Sequence, residues 1–344
     1  MENSKSWRDR FRAGAVIPAH PLALTSERKL DERHQRAIAR YYRDAGADGI
    51  AVGVHSTQFA IRDPSVGLYE PVLALAADAV AGSNMILVAG VCGETEQAVR
   101  EAEIARQLGY HAALLSLAAL GDAPIPDLIV HIRAVGEVLP VIGFYLQPAV
   151  GGRMLPTEFW RQFAQIESVI GIKIAPFNRY ATQDALRGVI DSGRSSELTL
   201  YTGNDDHIVL DLLSPFNHAG ESVRMRGGLL GHWAVWTRGA VKMHREIRNA
   251  IGSGSAIDTS WLVRSGEVTD MNAALFDVAN GFHGCIAGIH EVLRRQGLMQ
   301  GRWCLDPAED LSPGQSEEID RVVAAYQHLV DDDFVRQNID NWLT

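Results

Sequence analysis

Apolar residues along the chain fall into short runs, and between the runs they recur at helical spacing. Eight β-rich runs stand out: GAVIPAH (14–20), GIAVGV (49–54), MILVAGV (85–91), AALLSL (112–117), PVIGFYL (140–146), VIGIKIA (169–175), LTLYTG (198–203) and MRGGLLG (225–231). Each is nearly all apolar, the pattern of a strand buried on both faces. The stretches between them read as amphipathic helices. In DERHQRAIARYYRDAG, Ile38, Tyr41, Tyr42 and Ala45 share one face, and LPTEFWRQFAQIES starts a helix at Pro156–Thr157. Strand then helix, repeated in this way, predicts an α/β fold with a parallel sheet under helices. Eight units favour a closed (β/α)8 TIM barrel, and no strand-then-GxGxxG turn supports an open doubly wound sheet.

The rhythm ends near residue 250. Stretches 271–297 and 316–343 read as helices with no strand between them. The chain therefore divides into an N-terminal arm (1–12), a barrel (13–255) and a C-terminal helical extension (256–344). A net charge of −10 argues against nucleic acid or an anionic membrane as partner. No apolar run approaches the roughly 20 residues that cross a bilayer, and the first residues carry no signal-peptide core. Three widely spaced cysteines, Cys92, Cys285 and Cys304, make neither a disulfide framework nor a CxxC motif. Together these features predict a reduced, cytoplasmic protein.

One residue breaks the apolar pattern. Lys173 sits inside VIGIKIA, where an ammonium group is out of place unless something holds or uses it. Barrel enzymes carry their reactive groups at the C-terminal ends of strands. Lys173 ends the sixth run and Tyr145 ends the fifth, so both are expected at the same mouth. A lysine among isoleucines loses its water, its pKa falls, and the amine becomes a nucleophile. A phenol beside it passes protons. Taken singly, each has a plainer reading: a lysine reaching back to water, and a core tyrosine with its hydroxyl satisfied.

YLQPAVGG, followed twenty-eight residues after Tyr145 by GIKIA, resembles the dihydrodipicolinate synthase / N-acetylneuraminate lyase superfamily of Schiff-base aldolases. GADGIAVGVHSTQ, ILVAGV, YTGNDD and RGGLLG carry the resemblance along the chain from about residue 13, helical tail included. It implies that Lys173 forms an imine with a 2-keto acid and that Tyr145 is the proton relay. It also implies an aldehyde as second small-molecule partner, no bound cofactor, and a homo-oligomer, either dimer or tetramer.

The departures are as informative. After the second strand the family carries a Gly-Thr-Thr-Gly-Glu or Gly-Ser-Thr-Gly-Glu loop that grips the carboxylate, where this chain has Val54, His55, Ser56, Thr57 and Gln58. His55 replaces the first hydroxyl and adds a titratable group, while Ser56 and Thr57 keep hydroxyls for the anion. LAAL (117–120) stands where synthases have Thr-Pro-Tyr-Tyr, and Val150 stands where they have an arginine, with Arg153 nearby but out of register. Lysine-pathway synthase activity is therefore not expected. Asp205 and Asp206 follow Gly203 and suit the hydroxyls of a substrate, or else Asn204–Asp205 caps the next helix. Gly227 and Gly228 are expected either where backbone approaches the ligand or at a bend of the barrel, and Gly203 and Gly228 are counted among the substrate-binding residues. His207 with Asp205, Asp206 and Asp211, or His232 with His244, has no recognised metal spacing, so no metal is expected. The leading expectation is a Schiff-base lyase or aldolase of a pyruvate-type 2-keto acid. A dehydratase using the same imine and a catalytically silent ligand-binding barrel are the alternatives.

Overall fold

In the computed structural model, which describes residues 6–344, the apolar runs form strands and the stretches between them form helices. The strands are β1 (Val16–Pro18), β2 (Gly49–Val52), β3 (Ile86–Val91), β4 (Ala112–Leu115), β5 (Val141–Leu146), β6 (Val169–Ala175), β7 (Thr199–Thr202), β8 (Pro215–His218) and β9 (Glu221–Leu230). All but β8 pair in parallel, in the order β1-β9-β7-β6-β5-β4-β3-β2. The remaining seam closes through a bridge between Ala19 and Ala51, where the His20 N–H donates to Ala51 O at 2.8 Å. The ring is a (β/α)8 barrel.

The last barrel strand is longer than its apolar run. It begins at Glu221 because β8 folds back on it as an antiparallel hairpin. Ala219 and Gly220 form the turn with φ of +50° and +83°, the left-handed pair that a two-residue hairpin turn favours.

Side chains along the strands alternate between two apolar layers. Ile17, Val88, Leu114 and Ile142 fill the barrel, while Ile50, Val52, Ile172 and Ile174 pack under the helices. The end at which the strands begin is closed by helix Trp7–Ala13, capped by Ser6. Its Phe11 stacks on Tyr201 with ring centres 4.6 Å apart and accepts the Tyr201 hydroxyl on its carbonyl at 2.7 Å. Residues 1–5 of the expected arm lie outside the described residues. With that end plugged, the opposite end, where strands finish, is the one free to hold a ligand.

Four helices follow the barrel's last helix (Thr237–Gly252): Ser260–Leu275, Cys285–Arg295, Gln315–Ala325 and Asp332–Trp342. The stretches 271–297 and 316–343, which read as helices with no strand between them, are each interrupted in the structure. The first stops at Phe276, and Asp277, Gly281 and Phe282 take φ of +55°, +63° and +70°. The Asp277 carboxylate fixes that break by accepting the Gly284 N–H at 2.9 Å and the Ser312 hydroxyl. In the second, Asp331 turns inward and accepts the Tyr41 hydroxyl at 2.7 Å and the Arg238 N–H at 2.9 Å. Apolar periodicity continues through both breaks, so it does not announce them. Among the described residues no helix is long and apolar enough to cross a membrane.

Candidate active site

The ends of β2, β5, β6 and β7 converge on a cavity of about 60 Å³. Lys173 points into it from β6 between Ile172 and Ile174, which face the helices, and the lysine is only 7% exposed. Its Nζ stands 4.2 Å from the centre of the Phe144 ring, over the negative face that attracts a cation. A side chain at Gly203 would place Cβ 2.6 Å from Lys173 Cε and 2.7 Å from Ala175 Cβ. Glycine there leaves room for the lysine stem.

Burial shifts every titratable group around this amine towards its neutral form. Loss of water lowers Lys173 to about 8, against the opposing pull of the Asp205 carboxylate. Burial raises Asp205 to about 7, opposed by the His232 N–H, which donates to its Oδ1 at 2.8 Å, and by the charge on Lys173. Burial, then the neighbouring ammonium, lowers His55 to about 4. Near neutral pH the cavity floor therefore carries a lysine that gives up its proton more readily than one in water, a carboxyl group that ionises less readily, and an uncharged imidazole.

Tyr145 is not part of it. On β5, Ile142, Phe144 and Leu146 point into the barrel, and Tyr145 points the other way. Its ring packs 4.8 Å from Trp160 of helix Thr157–Ala164, and its hydroxyl bonds the carbonyl and the N–H of Leu155, each at 3.3 Å. The expectation that tyrosine and lysine share a mouth is thus corrected. The cause is a register shift: Val141 pairs with Val169 but Ile142 pairs with Gly171, and the shift sets Phe144, not Tyr145, beside Lys173.

Two further expected contacts also lie elsewhere. The Thr57 hydroxyl is fully used in holding its own loop: it donates to His20 O at 2.6 Å and accepts the Gly53 and Val54 N–H groups at 3.0 and 3.2 Å. Gly228 pairs with Val16 in the barrel wall, where a Cβ would strike Trp233 and Leu230 at 2.6 Å. It serves packing, not ligand. His55 and Ser56, by contrast, line the cavity with Gly203, Asp205 and Lys173. The turn before His55 is braced by Arg62, paired with Glu101 at 3.0 Å and donating to Gly53 O and Gly90 O at 2.9 Å each.

The sequence did not single out the remaining lining. Phe144, Leu146 and Gln147 come from β5 and its end, Phe177 from the loop after β6, and Phe276, Phe282, Cys285 and Ile289 from the C-terminal extension. Val150, at the family's arginine position, lines the cavity as well. The aromatic residues at 276 and 282 carry no signal in sequence, because only the break between two helices turns them towards the barrel. Among the described residues no three His, Cys, Asp or Glu side chains gather in a metal-holding group.

Residues 13–226 match the model of the dihydrodipicolinate synthetase family. A 4-hydroxy-tetrahydrodipicolinate synthase from Cyanothece sp. is 25% identical over 205 residues, covering 58% of this chain and 66% of that protein. The match thus spans just under two thirds of that relative's length. Among solved structures, dihydrodipicolinate synthase from Oceanobacillus iheyensis superposes with a TM-score of 0.75 at 15% identity, over 94% of this chain and 99% of the other. N-acetylneuraminate lyase from Fusobacterium nucleatum does so with a TM-score of 0.71 at 16% identity, over 93% and 99%. At these identities the superpositions bear on fold alone.

The packing around the lysine is open to test. Gly203→Ala forces a methyl group against Lys173 and Ala175, and is expected to destabilise the fold by about 1–3 kcal/mol, seen as a lower thermal midpoint. An unchanged midpoint would mean the stem has room to spare.

Proposed function

The chain belongs to the dihydrodipicolinate synthetase family, and on that footing we propose that it is a Schiff-base lyase of 2-keto acids with Lys173 as its nucleophile. One observation carries this reading: a buried amine at a barrel mouth, brought by loss of water to a pKa of about 8. Near neutral pH an appreciable fraction of that amine is uncharged and free to attack a carbonyl carbon.

The amine adds to the ketone and expels water, leaving a protonated imine. The Ser56 hydroxyl, which in the structure makes only a long 3.4 Å bond to His20 O, meets the substrate carboxylate with the His55 and Ser56 N–H groups of its loop. In a 4-hydroxy-2-keto acid a base takes the C4 hydroxyl proton and the C3–C4 bond breaks. Its electron pair runs into the imine, giving an enamine and an aldehyde. Protonation at C3 and hydrolysis, which regains the water, release pyruvate or its C3-substituted homologue and restore the amine. Run backwards, the same steps condense the two products. The lysine imine is the electron sink, so the reaction asks for no bound cofactor.

The protons need a carrier, and the phenol expected for that task faces the helix layer. Asp205 and His55 take its place. A group near pKa 7 both gives and accepts protons at neutral pH, which suits Asp205 to the hydroxyl and to the enamine carbon. The family reading also carries a small-molecule aldehyde partner and a homo-oligomer, dimer or tetramer.

A second reading has one observation behind it. Phe144, not a hydroxyl, lies beside Lys173, as in a barrel that binds a keto acid without turning it over. A dehydratase acting through the same imine differs from the lyase only in releasing water and no aldehyde, which product analysis separates.

Borohydride reduction in the presence of pyruvate, read by mass spectrometry, is expected to leave an adduct on Lys173 and none in Lys173→Met. Absence of an adduct under conditions that label a control aldolase would end the Schiff-base reading. A pair of variants then assigns the protons. Asp205→Asn should slow carbon–carbon cleavage by about 10²-fold or more while pyruvate still labels Lys173. Tyr145→Phe, which loses only the two bonds to the Leu155 backbone, should leave turnover near wild type at a stability cost of about 1–2 kcal/mol. The reverse ranking of the two would return the relay to the phenol.

A further inference from the structure

The outer half of the cavity is built of phenylalanines held in an unusual way. Phe177, after β6, has φ of +48°, and Phe282, in the break of the C-terminal extension, has φ of +70°. Bulky side chains seldom adopt this left-handed region, and where they do the surrounding structure holds them there. Each is so held. The Phe177 N–H donates to Asn204 Oδ1 at 3.1 Å, and Asn204 is itself tied to Asp211 and Thr182. The turn carrying Phe282 is fixed through Asp277. The two rings meet edge to face with centres 5.9 Å apart and planes at 81°. The backbone strain thus brings two aromatic rings together over the mouth.

The charge pattern points the same way. Among the described residues that line the cavity Lys173 is the one cation, and it is committed to the reaction centre. Val150 stands on the wall, and the nearby Arg153 guanidinium donates to Ala123 O at 3.2 Å instead of reaching in. Of the polar lining residues, His55, Ser56 and Asp205 gather with the amine, leaving Gln147. A second carboxylate on the substrate would be buried without a cation, and a chain of hydroxyls would find few partners; both are costly. Size narrows the class further. The cavity is small, about 60 Å³, which favours a short tail over a long one.

We infer that the site selects 2-keto acids whose tail beyond C3 is short and apolar, and hence an apolar aldehyde as the cleaved or condensed partner, with Phe177 and Phe282 as the residues that set this choice. The inference rests on the Schiff-base reading of Lys173 and names its substrate class.

Reductive trapping on the wild-type protein tests both and keeps them apart. Pyruvate, 2-oxopentanoate, 2-oxoglutarate and 2-keto-3-deoxygluconate are each titrated with borohydride, and labelling of Lys173 is followed by mass spectrometry. The expected result is labelling by pyruvate, and half-saturation by 2-oxopentanoate at a concentration at least about tenfold below that for 2-oxoglutarate or the sugar acid. Labelling by pyruvate with equal or better use of 2-oxoglutarate or the sugar acid overturns the inference and leaves the lyase reading standing. No labelling by any of the four overturns both. Phe282→Asn adds a second readout, because asparagine tolerates the left-handed backbone while removing the ring. It should collapse the preference between 2-oxopentanoate and 2-oxoglutarate; an unchanged ratio in the folded variant removes Phe282 from the role. Should the variant not fold, the wild-type comparison alone decides.

Discussion

An amine stripped of water and laid against a phenyl face is the contact on which this structure turns. An ammonium ion in an apolar interior is so costly that a buried lysine tends to give up its proton instead. The barrel supplies that interior by closing eight strands around an apolar core and plugging one end with the helix that carries Phe11. Gly203 makes space for the stem, Phe144 offers its ring, and Asp205 supplies a carboxyl group whose own charge is suppressed by the same burial. Each feature is ordinary packing or solvation. Together they leave a dehydrated amine at the bottom of a small pocket.

The C-terminal extension completes that pocket. Strand ends alone would leave the amine in a wider, wetter mouth, and its pKa would lie closer to that of a lysine in water. Phe276, Phe282, Cys285 and Ile289 cover it, and they do so because a helical stretch is interrupted at Asp277. The strained backbone at Phe177 and Phe282 is therefore tied to the dehydration of the lysine, and the same rings bound the cavity.

Much of the frame was legible from pattern. Apolar runs at regular intervals marked the eight barrel strands, and a lysine inside one of them pointed to the cavity that it lines. What failed to show has a common cause. Where both faces of a strand are apolar, as in VIGFYL, alternation cannot tell inward from outward, and a one-residue register shift in the ladder between β5 and β6 exchanged Phe144 for Tyr145. Thr57 was misjudged because its hydroxyl serves a local loop, a use that one-dimensional spacing does not reveal. The breaks at Asp277 and Asp331 depend on acceptors and donors far away in sequence, so helical periodicity runs straight across them.

Direct titration of the lysine is the sharpest test of this account. With lysines labelled at the ε position, the Lys173 resonance, assigned by comparison with Lys173→Met, can be followed by NMR as pH rises. Dehydration predicts a midpoint near 8. A midpoint near the ordinary lysine value of 10.5 would show an amine still in contact with bulk water, and the buried nucleophile would be lost with it.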